Sequence, residues 1–134
     1  MSARYLLDTS VLAGLMREPR GAAAARLQAV GEASVFTSVV VACELRFGAR
    51  ERNSAALTAR IEALLASIAV VALEPGVDRH YGEIRDALER RGLPIGANDL
   101  LIAAHALQQD ATLVTDNVAE FRRVPELRVE SWRH

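Results

Sequence analysis

Four carboxylates sit where a purely structural account of this sequence strains: Asp8, Glu44, Asp99 and Asp116. Asp8 closes a short apolar run from Arg4, and Asp116 closes Ala-Thr-Leu-Val-Thr. Glu44 interrupts Val39-Val-Val-Ala-Cys-Glu-Leu, and Asp99 opens Asp-Leu-Leu-Ile-Ala-Ala-His-Ala-Leu. Singly, Asp8, Asp99 and Asp116 have ordinary readings, because Asp is favoured at caps and turns and complements the positive end of a helix. Glu44 resists that reading, since an acid buried unpaired among apolar side chains costs several kcal/mol. Four acids drawn to one cleft repel one another unless a counter-ion joins them. An oxygen-only donor set of this kind suits magnesium, with manganese as its nearest substitute, and such ions bridge to substrate phosphates.

Such a site requires elements that bring the acids to one place. Arg4–Asp8 reads as a buried strand that closes on cap residues and opens a helix. Ala22–Val30 is an alanine-rich helix, and Ser34–Thr37 is a second strand. Ser38 is expected to cap a helix from Val39 to Glu51, with Asn53 and Ser54 as its break. Leu57, Ile61, Leu64, Leu65 and Ile68 recur at helical spacing, and Val70–Leu73 is a third strand stopped by Pro75-Gly76. Val77–Arg91 is amphipathic, with Tyr81, Ile84 and Leu88 on one face. After the loop Gly92–Gly96, Asn98 is expected to cap a helix from Asp99 to Gln109 whose nearly all-round apolarity marks it as central. Ala111–Thr115 and Leu127–Glu130 supply a fourth and a fifth strand.

Strands alternating with helices predict an α/β domain spanning residues 1–134, with a mainly parallel central sheet of four to five strands. In an open parallel sheet every strand points its carboxyl end at the same edge, where ligands bind. Asp8 and Asp116 are placed on that edge by construction. Glu44 lies about two turns into the helix leaving it, and the start of the Asp99 helix can face the same crevice.

Composition removes several alternatives. The 134 residues carry 51% apolar and 25% charged side chains with a net charge of −1, as one globular domain requires. All 16 basic residues are arginine. The absence of lysine excludes the usual P-loop and any lysine Schiff-base enzyme. The single cysteine, Cys43, permits no internal disulfide and suits a reducing cytosol. The longest near-apolar run, Ala63–Leu73, is about half of what a membrane span needs, so a cytoplasmic protein without membrane contact is expected.

The segments Leu-Leu-Asp8-Thr-Ser, Val-Val-Val-Ala-Cys-Glu44-Leu-Arg-Phe-Gly-Ala, Ile-Gly-Ala-Asn-Asp99-Leu-Leu-Ile-Ala-Ala-His-Ala and Ala-Thr-Leu-Val-Thr-Asp116-Asn resemble the four acidic motifs of PIN-domain nucleases. The likeness is greatest to VapC-type ribonuclease toxins of bacterial type II toxin–antitoxin modules, and it runs essentially the whole chain. It implies a PIN-like three-layer α/β/α fold and a magnesium-dependent endoribonuclease acting on RNA, with transfer RNA as the family-level substrate. It also implies an antitoxin partner, a homodimer and toxin–antitoxin hetero-oligomers. Asp8 and Asp99 fall on the principal ligand positions, and Glu44 is a ligand or a general base through water. Asp116 stands where many relatives of this pattern carry asparagine, which makes it an outer contributor. Thr9, Thr115 and Asn117 match polar positions that orient the acids.

Other conspicuous residues are expected to serve structure. His80, His105 and His134 lack metal-ligand spacing, and His105 reads as a satisfied core histidine. Cys43 is expected to be a small buried hydrophobe and Trp132 a packing anchor. Arginines, Arg17, Arg20, Arg46 and Arg50 among them, must supply any attraction to RNA. The apolar surfaces of Val39–Arg50 and Leu57–Ile68 exceed what one small core needs and suit a homodimer face or an antitoxin groove. Two rival functions are an aspartate-nucleophile phosphohydrolase and a non-catalytic PIN-like binding domain. The first usually needs a second Asp where Ser10 stands, and a lysine. Loss of the acids would signal the second, and all four are present.

Overall fold

The computed structural model describes residues 3–133; His134, weighed above as a ligand, lies outside them together with Met1 and Ser2. Five strands form one sheet: β1 (Tyr5–Leu7), β2 (Val35–Ser38), β3 (Ala69–Val71), β4 (Thr112–Val114) and β5 (Val129–Glu130), in the order β3-β2-β1-β4-β5. Every pairing is parallel, with Leu6 opposite both Phe36 and Leu113. The helices are α1 (Thr9–Arg17), α2 (Ala22–Val30), α3 (Val39–Arg52), α4 (Ala55–Ser67), α5 (Val77–Arg90), α6 (Ala97–Gln108) and α7 (Val118–Phe121). The expected α/β/α layering is therefore present, and all five strands run the same way.

The central strands are short and covered on both faces. Leu6 and Leu7 point to opposite sides of β1 and both are fully buried, as are Leu113 and Val114 of β4. Burying four such side chains contributes about 2 kcal/mol each. Edge strand β3 is different, with Val70 39% exposed.

Local signals set the helix ends. The Ser38 hydroxyl accepts from the Val40 N–H at 3.1 Å, as expected of a cap. Asn53 adopts the left-handed conformation (φ 50°) that ends α3, and Ser54 caps α4 through the Leu57 N–H. At Pro75-Gly76 the chain turns with φ 110° at Gly76, which only glycine adopts readily. One cap differs from expectation: α6 begins at Ala97 after Gly96 and has no side-chain cap, so Asn98 lies inside the first turn instead of before it. Its amide is thereby free to reach across to α3. The short helix α7 and a 3-10 turn at Glu32–Ser34 carry no apolar period that the sequence could have announced.

The winding order decides where a crevice can open. The chain builds β1, β2 and β3 outward in one direction, then returns to lay β4 on the other side of β1. The seam between β1 and β4 is where the winding reverses, and crevices open at the carboxyl ends of such seams. The Asp8 N–H bonds the Val114 carbonyl across that seam at 2.9 Å.

Candidate active site

Asp8 follows β1 directly and is only 6% exposed. Its Oδ1 accepts from the Thr9 N–H at 2.7 Å, and its Oδ2 accepts from the Thr115 hydroxyl at 2.8 Å. The Thr115 hydroxyl in turn accepts from the Asn117 N–H at 3.0 Å, so the chain beyond β4 fixes the rotamer that holds Asp8. Burial raises the proton affinity of Asp8; the Thr115 and Thr9 hydrogen bonds oppose this, while the charges of Glu44 and Asp116 add to it.

Glu44 reaches the same place from α3. The Thr9 hydroxyl donates to Glu44 Oε1 at 2.5 Å, and the Asn98 amide donates to Oε2 at 3.5 Å. Thr9 thus ties Asp8 through its backbone to Glu44 through its side chain. Asp99, in the first turn of α6, has its pKa pushed up from 3.8 to about 7 by burial first, then by the Glu120 carboxyl, and further by Asp8 and Glu44. The Glu120 carboxyl therefore belongs to the acidic neighbourhood of Asp99. Asp116 is exposed, its backbone N–H donates to the Ser10 hydroxyl at 3.2 Å, and its charge is felt at Asp8.

Asp8, Glu44, Asp99 and Asp116 therefore interact electrostatically, with Asp116 at the rim. None of them takes part in any of the five ion pairs among the described residues. Nor, among those residues, do three or more His, Cys, Asp or Glu side chains close into a group that could hold a metal ion. Hydroxyl and amide donors hold the carboxylates of Asp8 and Glu44 individually. The donor set is nonetheless of the kind a hard divalent cation takes: oxygen only, partly buried, mutually repelling and without a paired arginine.

Glu120 escaped the sequence reading. It stands on α7, three residues after Asn117, whose amide donates to its carboxylate. The spacing Asn117-x-x-Glu120 is that of a capping box, a signal that marks a helix start but says nothing of a partner on α6. Ser10 and Asn98 were likewise missed as partners of the acidic residues.

Three residues depart from expectation. Cys43 is exposed, because it shares an outward stripe of α3 with Val39 and Phe47 at i, i+4 and i+8. His105 is a core residue whose Nδ1 lies 2.8 Å from the Ser38 hydroxyl, but among the described residues Nε2 meets no hydrogen-bond partner; burial lowers its pKa. Arg46 forks onto Glu62 of α4 at 2.8 and 2.9 Å, so its charge is partly committed within the protein. Trp132 is the expected anchor: fully buried, its ring 5.4 Å from that of Tyr5 and tilted against it by 57°, its indole N–H donating to Glu130 at 3.1 Å.

Residues 5–127 match the PIN domain family. Ribonuclease VapC2 of Rickettsia felis is 32% identical over 130 residues, covering 96% of this chain and 97% of its own length. The tRNA(fMet)-specific endonuclease VapC of Shigella flexneri is 32% identical over 134 residues, covering 96% and 98%. Among solved structures, a chain of VapBC2 from Rickettsia felis, bound to a DNA fragment from their promoter, superposes with a TM-score of 0.87 at 32% identity, over 96% of this chain and 98% of that one. With its five-stranded parallel sheet and near-complete coverage by these relatives, the chain belongs to the PIN-domain family, on the branch of the VapC ribonucleases.

Proposed function

We propose that this protein is a magnesium-dependent endoribonuclease acting as the toxin of a toxin–antitoxin pair, with transfer RNA as its substrate. The observation that carries the reading is the uncompensated acidic crevice at the β1–β4 seam, where burial and neighbouring carboxylates push Asp99 up to about 7. The name of the Shigella flexneri relative supports the choice of transfer RNA.

Asp8 and Asp99 would hold the ion, with Glu44 and Glu120 beside them and Asp116 as an outer contributor. A bound divalent cation supplies Lewis acidity, easing loss of a proton from water and offsetting charge on the phosphate oxygens. The chain's own residues do the positioning. Thr115 and Thr9 hold both oxygens of Asp8, and Thr9 and Asn98 hold those of Glu44. In this reading Glu44 accepts the proton of an attacking water. Attack at phosphorus then breaks the bond to the 3′ oxygen, which takes a proton from solvent water, leaving a 3′-hydroxyl and a 5′-phosphate.

The antitoxin docks on the α3–α4 side. Phe47 is 65% exposed there and Val39 36%, beside a groove lined by Ala49, Arg50, Ala55 and Ala59. An amphipathic partner helix with acidic flanks complements such a surface. No helix among the described residues is long and apolar enough to cross a membrane.

The test compares wild-type protein with Asp8→Asn on a 5′-labelled tRNA(fMet) transcript, with magnesium and with EDTA, and sequences the 5′-phosphorylated ends. Cleavage by wild type with magnesium alone supports the reading. Equal cleavage by the folded Asp8→Asn protein, or no cleavage of cellular RNA under any divalent cation, overturns it.

A further inference from the structure

We propose that a small cavity on the Asp116 flank of the crevice is a subsite for a backbone phosphate of the RNA strand, held by Arg17 and Arg133; the inference rests on the ribonuclease reading above. Helix α1 presents Ser10, Gly14 and Arg17 along one stripe, at i, i+4 and i+7. These three line a cavity of about 100 Å³ whose other walls include Asp116, Trp132 and Arg133. Gly14 keeps the middle of the stripe low, and a β-carbon there would stand 3.9 Å from the Arg17 guanidinium.

The charges at this place are free to act. Arg26, Arg46, Arg85, Arg90 and Arg128 are paired with Glu130, Glu62, Glu89, Asp86 and Asp110. Arg17 and Arg133 take part in no such pair among the described residues, and both are exposed. The Ser10 hydroxyl accepts from the Asp116 N–H, which leaves its own proton to donate. Guanidinium groups match phosphate oxygens in fork geometry, and this chain has no lysine to do the work instead.

Size and wall identify the group recognised. The volume is far below the roughly 300–1,000 Å³ of pockets that enclose a drug-sized ligand, so it takes a phosphate and not a whole nucleotide. The one aromatic wall, Trp132, is fully buried and pinned by Tyr5 and Glu130, which leaves no face for base stacking. Ser10 and Arg17 lie about 10 Å apart along the helix axis. The cavity shares Asp116 with the rim of the crevice, so the phosphate held at Arg17 flanks the segment being cut. Glu18 and Asp116 border the same cavity, and their carboxylates oppose an incoming anion that the two guanidinium groups attract.

The experiment measures binding of a fluorescein-labelled tRNA(fMet) transcript in EDTA, across a salt series, by anisotropy. Wild type is compared with Arg17→Ala, Arg133→Ala, the double variant and Glu18→Gln. Arg79→Ala on α5 serves as a control for loss of one positive charge elsewhere, and melting curves confirm that each variant is folded. The expected result is about tenfold weaker binding for each single arginine variant and about a hundredfold for the double. The slope of log Kd against log salt falls by about 0.7 per arginine, Glu18→Gln binds more tightly, and Arg79→Ala matches wild type. Arginine variants that bind like wild type, or lose no more than Arg79→Ala, overturn the subsite. Binding is read apart from cleavage: if wild type binds RNA but never cuts it, the ribonuclease reading fails while these arms still decide the subsite. Wild type that binds no RNA in EDTA overturns the subsite and leaves the ribonuclease reading to the cleavage assay.

Discussion

Two threonines and two acids make one connected unit at the residue scale. Thr9 bonds Asp8 through its backbone and Glu44 through its hydroxyl, while Thr115 holds the second oxygen of Asp8. Removing a supporting hydroxyl leaves the acid in place but lets it turn, so Thr115→Val is expected to lower RNA cleavage about 10–100-fold without unfolding the protein. Asp99→Asn and Glu120→Gln are expected to cost about 10²–10⁴-fold, read as initial rates on labelled RNA. A Glu120→Gln protein that cuts at the wild-type rate removes that residue from the site. The pH dependence of stability follows from Asp99, whose pKa is 3.8 ordinarily and about 7 in the fold. Between those values the folded chain keeps a proton that the unfolded chain has lost, so stability falls as pH rises from about 4 to 7. Asp8, also raised by burial, adds to the same slope. Thermal melts in EDTA should therefore be higher at pH 5 than at pH 8, with Asp99→Asn flattening the difference and magnesium recovering part of it at pH 8. Equal wild-type melts at the two pH values contradict this account.

At the scale of elements, Ser38 has two duties. It caps α3 at the Val40 N–H and meets the Nδ1 of buried His105 from α6. Ser38→Ala removes both, which is expected to cost about 1–3 kcal/mol in urea titrations. A change below about 0.5 kcal/mol, the range of surface substitutions away from such features, would show that neither contact matters. Elements with a strong compositional or periodic signal were legible: α2 runs from Ala22 to Val30 as its alanine content predicts, and α4, from Ala55 to Ser67, carries Leu57, Ile61, Leu64 and Leu65 at helical spacing. The acids at strand ends were legible too, because a parallel sheet places every such end on one edge. The partners of those acids were not. Glu120 sits on a four-residue helix with no apolar repeat, and its meeting with Asp99 depends on how α7 lies against α6. Asn98 was misplaced because Asn before an apolar run reads as a cap, whereas Gly96 fills that position and frees Asn98 to reach Glu44. The exposure of Cys43 was hidden for a related reason, since an apolar stretch does not tell which of its faces the core leaves uncovered.

At the scale of the whole molecule, residues from the first strand to the last close around one seam. Trp132 packs at a tilt against Tyr5 and ties the chain after β5 to β1, so Trp132→Ala is expected to destabilise the protein by about 3–5 kcal/mol and to disturb the cavity beside Asp116. The outer surface should behave oppositely. Phe47 is exposed, so Phe47→Asp is expected to leave the melting temperature within a few degrees of wild type while abolishing capture by the antitoxin in a co-purification. Retained capture would move the docking surface elsewhere.

Asp8 is at once a carboxylate of the candidate site and the residue that starts a helix, since its Oδ1 accepts from the first amide of α1. Any cation drawing on that carboxylate also pulls on the amide, so occupancy at one end of the rod is communicated to the side chains strung along it. Deuterium uptake across residues 9–17 becomes a remote gauge of ion binding: slower labelling of that stretch on adding magnesium, with α5 unchanged, is the signature to expect.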